Sequence, residues 1–142
     1  MSKRHSLALL FLLACAAAAP ARAAGFRVVA NPSVSVATIS AAELSRLFLK
    51  QTAAWPDGQR VVVVDQERTA SVRNVFSQAV HRRDADAIAA YWQTMVFSGR
   101  NTPPAVKGSD AAVLALVRTT PGAVGYVSES VQLEGVKPLV VK

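Results

Sequence analysis

The chain has 142 residues, 51% of them hydrophobic, a formal net charge of +7 and a single cysteine. Lys3, Arg4 and Arg22 lie in an N-terminal stretch that reads as a leader; without them 13 basic residues face 9 acidic ones, a net +4. So small and scattered an excess, with no aromatic residues interleaved, excludes a nucleic-acid surface, and a single Cys15 inside the leader excludes disulfides, thiolate metal sites and cysteine nucleophiles.

In chain order, Lys3-Arg4 precede an apolar run at residues 7–19 and then Ala21-Arg22-Ala23, a small-x-small pattern that a signal peptidase accepts. The run is 13 residues long, against the roughly 20 that cross a bilayer, so residues 1–23 are expected to be a cleaved signal peptide rather than an anchor. Leu12-Leu13-Ala14-Cys15 loosely resembles a lipobox, which keeps open a second route, a lipoprotein modified at Cys15. Either route exports the chain, and a periplasmic location is expected. Residues 24–142 leave 119 positions, the size of one domain with a real core and too few for two lobes.

Residues 26–30, FRVVA, read as a first strand ending at Asn31-Pro32. Ser40-Ala41-Ala42-Glu43 has the spacing of a capping box ahead of Leu44, Leu47 and Phe48, which share one helical face. Trp55-Pro56-Asp57-Gly58 marks a turn, and Val61-Val62-Val63-Val64 suggests a strand covered on both faces, since nothing alternates along it. A helix is expected from about Thr69, with Val72, Val75, Phe76 and Ala79 as its stripe. Asp84 can cap the next helix, whose Ile88, Tyr91, Trp92 and Met95 recur at helical spacing until Ser98-Gly99 stops it. Asn101-Thr102-Pro103-Pro104 reads as a loop, and Ser109 or Asp110 caps a last helix through Val113, Leu114, Leu116 and Val117, ended by Pro121-Gly122. Residues 123–127 and 136–141 read as closing strands. Strands alternating with helices predict an α/β layered fold with a mixed or mostly parallel sheet, in which ligands gather where strand ends meet helix starts.

The segment DQERTASVRNVF, residues 65–76, carries the candidate site. Free amides at a helix start, the positive end of the helix dipole, Arg68 and Arg73, and the hydroxyls of Thr69 and Ser71 together make an anion seat. The competing interpretation is that Thr69 caps the helix while both arginines are solvated or paired with Asp65 and Glu67. Ser33 and Ser35 serve the turn after the first strand, Arg100 offsets a helix dipole, and Trp55, Tyr91, Trp92 and Tyr126 belong to the core. Gly122 and Gly125 serve backbone geometry. His81 sits in His81-Arg82-Arg83-Asp84 as an exposed-looking imidazole, the only one left for a zinc site or a Ser/His/Asp triad, and no paired carboxylates stand on one face, so an enzyme is not expected.

Ser40 to Trp55, SAAELSRLFLKQTAAW, resembles the segment of phosphate-type periplasmic solute-binding proteins in which a capped helix ends in Phe-Leu-Gly-Lys and runs on to a Trp; residues 120–128, TPGAVGYVS, resemble that family's Pro-Gly-Ala-Ile-Gly-Tyr-Val strand. Residues 61–76 occupy the place of the family's strand, arginine, Ser-Gly-Thr turn and helix. The resemblance covers nearly all of residues 24–142 but only one lobe of a two-lobed protein. It implies one three-layer lobe of a type 2 periplasmic-binding fold, with a small oxyanion such as phosphate contacted by Arg68, Thr69, Ala70, Ser71 and Arg73, and no metal or cofactor. Two departures accompany it: the family's Ser, Gly and Thr fall on Ala70, Ser71 and Val72, and the glycine after its Phe-Leu is Lys50 here. The resemblance therefore implies a non-enzymatic binding protein that serves a membrane transporter. The alternative is an envelope interaction module that kept the lobe and lost the ligand, docking on another protein or forming a homodimer.

Overall fold

The structure, a computed structural model, describes residues 25–142; the leader, its cleavage pattern and Cys15 lie outside the described residues. Strands β1 (Phe26–Ala30), β2 (Thr38–Ile39), β3 (Val62–Gln66), β4 (Ala105–Lys107), β5 (Ala123–Ser128) and β6 (Lys137–Val141) form one sheet in the order β2-β6-β1-β5-β3-β4. The helices are α1 (Ala41–Phe48), α2 (Ser71–Phe76), α3 (Ala85–Phe97) and α4 (Asp110–Thr119), and α2 runs directly into a π-helical turn, Ser77–His81. β5, β3 and β4 run parallel, as do β2 and β6, whereas β1 is antiparallel to both its neighbours, so the sheet is mixed.

The run of valines explains the layering. Val63 belongs to a core built with Leu44, Leu47, Phe48, Val72, Phe76 and Tyr126, while Val64, one residue on, belongs to a second core under Val113, Leu114 and Val117 of α4. Consecutive strand residues point to opposite faces, and both faces are covered, which is why the run does not alternate. On the first face Tyr126 stacks on Phe76 with ring centroids 3.8 Å apart and planes at 5°. Trp55 is buried there and donates through Nε1 to the Gly122 carbonyl at 3.0 Å.

The caps follow the sequence closely. The Glu43 amide donates to Ser40 Oγ at 3.1 Å and the Ser40 amide to Glu43 Oε2 at 3.0 Å, a complete capping box. Asp84 Oδ1 accepts from the Ala87 amide at 2.7 Å, and Ser109 Oγ from the Ala112 amide at 3.1 Å. At the far end of α4, buried Asn31 donates through Nδ2 to the carbonyls of Val117 and Arg118, at 2.9 and 3.1 Å, so the turn after β1 closes the last orphan acceptors of that helix. Ser33 accepts from the Gly122 amide and Gln59, and Ser35 donates to Asp57, so both serine side chains are committed to loop contacts.

Several expectations are corrected. The helix expected from Thr69 begins at Ser71, with Ala70 in the capping position and no side-chain cap bond. The π turn inserts extra backbone and shifts the stripe, so Ala79 is exposed and Val80 takes the core place. His81, expected to be exposed, is half-buried, with Nδ1 2.7 Å from Ser45 Oγ. β2 and β4 were not expected at all: each has two or three residues, and pairing with β6 and β3 creates them rather than any pattern of their own.

Candidate functional site

β3, β4 and β5 end at the same edge of the sheet, and the turn after β3 delivers the chain from that edge into α2. The carboxyl edge of parallel strands is where α/β folds place ligands. Here the Glu67 amide donates to the Lys107 carbonyl at 3.1 Å and the Ala70 amide to the Glu67 carbonyl at 3.0 Å, which fixes the turn through Arg68 and Thr69. Arg68, Thr69 and Ser71 are exposed on it. Because Ala70 carries no acceptor, the start of α2 lacks the side-chain cap that α1, α3 and α4 have; within the described chain the amides of Ser71 and Val72 meet no acceptor. Ser71 and Val72 border an open recess of about 340 Å³ that also touches Ser128, the last residue of β5, and Glu129 and Ser130 beyond it. Glu129, the one acid on that recess, disfavours an anion close to it.

The two arginines separate. Arg68 stays outside, with Nε 3.6 Å from Asp86 Oδ1 and both side chains more than half exposed, a pair that water screens almost completely. Arg73 turns inward. Its Nη1 lies 2.9 Å from Asp65 Oδ1 and donates to the Gln66 carbonyl at 2.6 Å, and both members of the ion pair are buried. Arg73 shares a helical face with Phe76, three residues on, and that face packs on the sheet. Of the five residues expected to contact an anion, the structure thus keeps Arg68, Thr69 and Ser71 on one exposed turn, gives Ala70 a backbone role, and sets the Arg73 guanidinium beneath them.

Around that pair lies a polar network that sequence reasoning missed. The Tyr126 hydroxyl donates to Asp65 Oδ1, and the Gln66 amide reaches the same oxygen at 2.9 Å. Gln66 Nε2 donates to Asp110 Oδ1 at 2.8 Å and to the Tyr126 carbonyl at 2.9 Å, and the Ser128 amide also reaches Asp110 Oδ1, at 3.2 Å. One connected set therefore ties the ends of β3 and β5 to the starts of α2 and α4. Burial, the largest influence, pushes the Asp65 carboxyl above its ordinary value, while Arg73, the Tyr126 hydroxyl and the Gln66 amide pull it back. Burial and the Asp65 charge raise the Tyr126 phenol, which stays protonated as the donor. The available signal was an acid closing a run of valines: a charge placed there must find a partner within the fold.

On the other side of Arg68 an open recess of about 410 Å³ runs between β4 and α3, walled by Trp92, Gln93, Val96, Phe97, Pro103 and Val106. Among the described residues no three His, Cys, Asp or Glu side chains gather where they could hold a metal ion.

The fold is that of substrate-binding proteins of phosphate ABC transporters, over part of their length. An ABC-type phosphate transport receptor from Vibrio cholerae superimposes with a TM-score of 0.65 at 20% identity, covering 83% of this chain and 46% of the receptor. A putative phosphate ABC transporter substrate-binding protein from Clostridium perfringens, solved with bound phosphate, gives 0.66 at 16% identity, covering 83% and 45%. A possible phosphate-binding protein from Planctomyces limnophilus gives 0.58 at 16% identity, covering 84% and 42%. This chain spans about half the length of these solved structures. No protein-family model matches the sequence, and no curated protein matches it.

Proposed function

We propose that this chain is a non-enzymatic solute-binding-like protein of the phosphate-uptake type, exported to the periplasm by its leader, that holds a small oxyanion at the Arg68–Ser71 turn and serves an ABC transporter. The fold shared with phosphate receptors, one of them solved with phosphate, is the observation that carries this reading. The donors it assigns are the Arg68 guanidinium, the hydroxyls of Thr69 and Ser71, and the amides of Ser71 and Val72. Ala70 contributes by lacking a side chain that would occupy those amides. Arg73 acts from below, holding the end of β3 through Asp65 and the Gln66 carbonyl, so that the turn springs from a fixed point.

A seat open on one side leaves the anion in water, where a charge pair at contact is worth only about 1 kcal/mol. Affinity in the millimolar range, roughly 4 kcal/mol, is therefore expected. Calorimetric titration with phosphate tests this: a heat that saturates at millimolar concentration and is lost in Arg68→Ala is the expected result, and no heat up to tens of millimolar overturns it.

The inward turn of Arg73 favours a second reading, a lobe that kept the fold and lost the ligand, working as an envelope interaction module. In that case the titration is silent for the natural chain, and Arg68→Ala changes nothing.

A further inference from the structure

Helix α3 carries a face that nothing in the described chain covers. Asp86, Ala89, Gln93 and Phe97 recur at helical spacing and share one side, with Val96 at its border, beside the strip of Ala85, Ile88 and Trp92 that is buried. Phe97 is 94% exposed and Val96 52%, and Val106 of the edge strand β4 adds 51% next to them. Val96, Phe97 and Val106 line one recess, and exposed apolar side chains gathered in this way mark an interaction surface. The recess of about 410 Å³ lies at its foot, with Ala89 and Gln93 in its wall. A protruding ring and a hollow on one surface are complementary to a second copy of themselves under twofold rotation.

We propose that this face is a homodimer interface, in which α3 packs antiparallel on α3 of a second copy about a twofold axis at Gln93. Positions equally far from Gln93 then meet. Phe97, four residues beyond it, faces Ala89 of the second copy, four residues before it, where a small side chain leaves room for the ring. Asp86, seven residues before the axis, meets the end of the second copy's helix, where Arg100 follows the left-handed Gly99 (φ 66°), so the register that seats the rings also brings opposite charges to the same end of the interface. Arg100 stays close to the helix end because its amide donates to the Met95 carbonyl at 3.1 Å. Asp86 is free to exchange partners, since its contact with Arg68 is long and exposed. The axis crosses α3 at Gln93, so the short strand β4, with Pro103-Pro104 ahead of it and Lys107 at its end, is not asked to extend the sheet.

Sedimentation equilibrium of the purified chain in phosphate-free buffer tests the interface independently of oxyanion binding. A monomer–dimer equilibrium is expected, abolished by Phe97→Ser, a substitution at a solvent-facing position that leaves the melting transition in place. Asp86→Arg and Arg100→Asp should each weaken dimerisation about tenfold by juxtaposing like charges, and the double reversal should restore it. A monomer at every concentration up to about 1 mM, the weakest association worth assigning to a specific interface, overturns the proposal. So does a dimer indifferent to Phe97→Ser, and a double reversal that fails to restore the dimer overturns the antiparallel register.

Discussion

Asp65 and Arg73 meet where water is excluded, and each is tolerable there because of the other, helped by the Tyr126 hydroxyl and the Gln66 backbone. Removing one partner from such a pair leaves an uncompensated buried charge and costs about 3–5 kcal/mol, whereas replacing both with apolar or neutral groups of similar volume costs far less. Arg73→Ala should therefore lower the free energy of urea unfolding by about that amount, with Asp65→Asn combined with Arg73→Met recovering most of it; an Arg73→Ala variant within about 1 kcal/mol of the natural chain would show the pair to be a surface feature. His81 supplies a pH dependence. Burial first, and the neighbouring Arg73 and Arg83 charges next, pull its pKa down from 6.5 to about 4. The unfolded chain then binds more protons than the folded one between those values, so stability is complete above pH 6.5 and falls as pH drops toward 4, by up to about 3 kcal/mol. Unfolding free energies from pH 7 to pH 4 should show that loss in the natural chain and a flatter profile in His81→Asn; parallel profiles would exclude His81 as its source. In the sequence, Arg68 and Arg73 look equivalent. Only the phase of α2 separates them, by setting Arg73 on the side of Val72 and Phe76.

At the scale of single elements, α1 shows both what the chain encodes well and where it accepts strain. Its start is a local pattern, Ser40 and Glu43, and was legible because both bonds form within four residues. Its end is a left-handed turn: the Gln51 amide donates to the Arg46 carbonyl at 2.8 Å, the Lys50 amide to the Leu47 carbonyl at 3.0 Å, and Lys50 takes φ 53°. That conformation favours glycine, the residue that the resemblance to phosphate-type binding proteins implies at this place. Lys50→Gly should stabilise the chain by about 1 kcal/mol, read as a higher melting temperature; a lower one would mean that the lysine side chain, which reaches the Pro103 carbonyl at 3.4 Å, matters more than its backbone. β3 was legible for the same local reason as the start of α1, a run of branched residues. β2, β4 and the π turn were not, because tertiary pairing and a shift in helical phase have no signature in a window of a few residues.

For the molecule as a whole, the order of elements made the layered α/β fold legible, and it pointed to the carboxyl edge of the sheet as the candidate site. What the sequence did not carry was the direction of each side chain there: Arg73 turned beneath the turn, Gln66 and Tyr126 joined it, and Phe97 stood out into water. These depend on how α2 and α3 settle on the sheet, which no short pattern records. Oxyanion binding would depend on one exposed turn whose amides meet no acceptor within the described chain. The most direct measurement follows backbone amide resonances during phosphate titration at constant ionic strength. Saturable shifts at Thr69, Ser71 and Val72, with the already capped Glu43 and Leu44 unmoved, are predicted. A turn whose resonances stay fixed, or shifts spread evenly over the chain as added salt would cause, would contradict it.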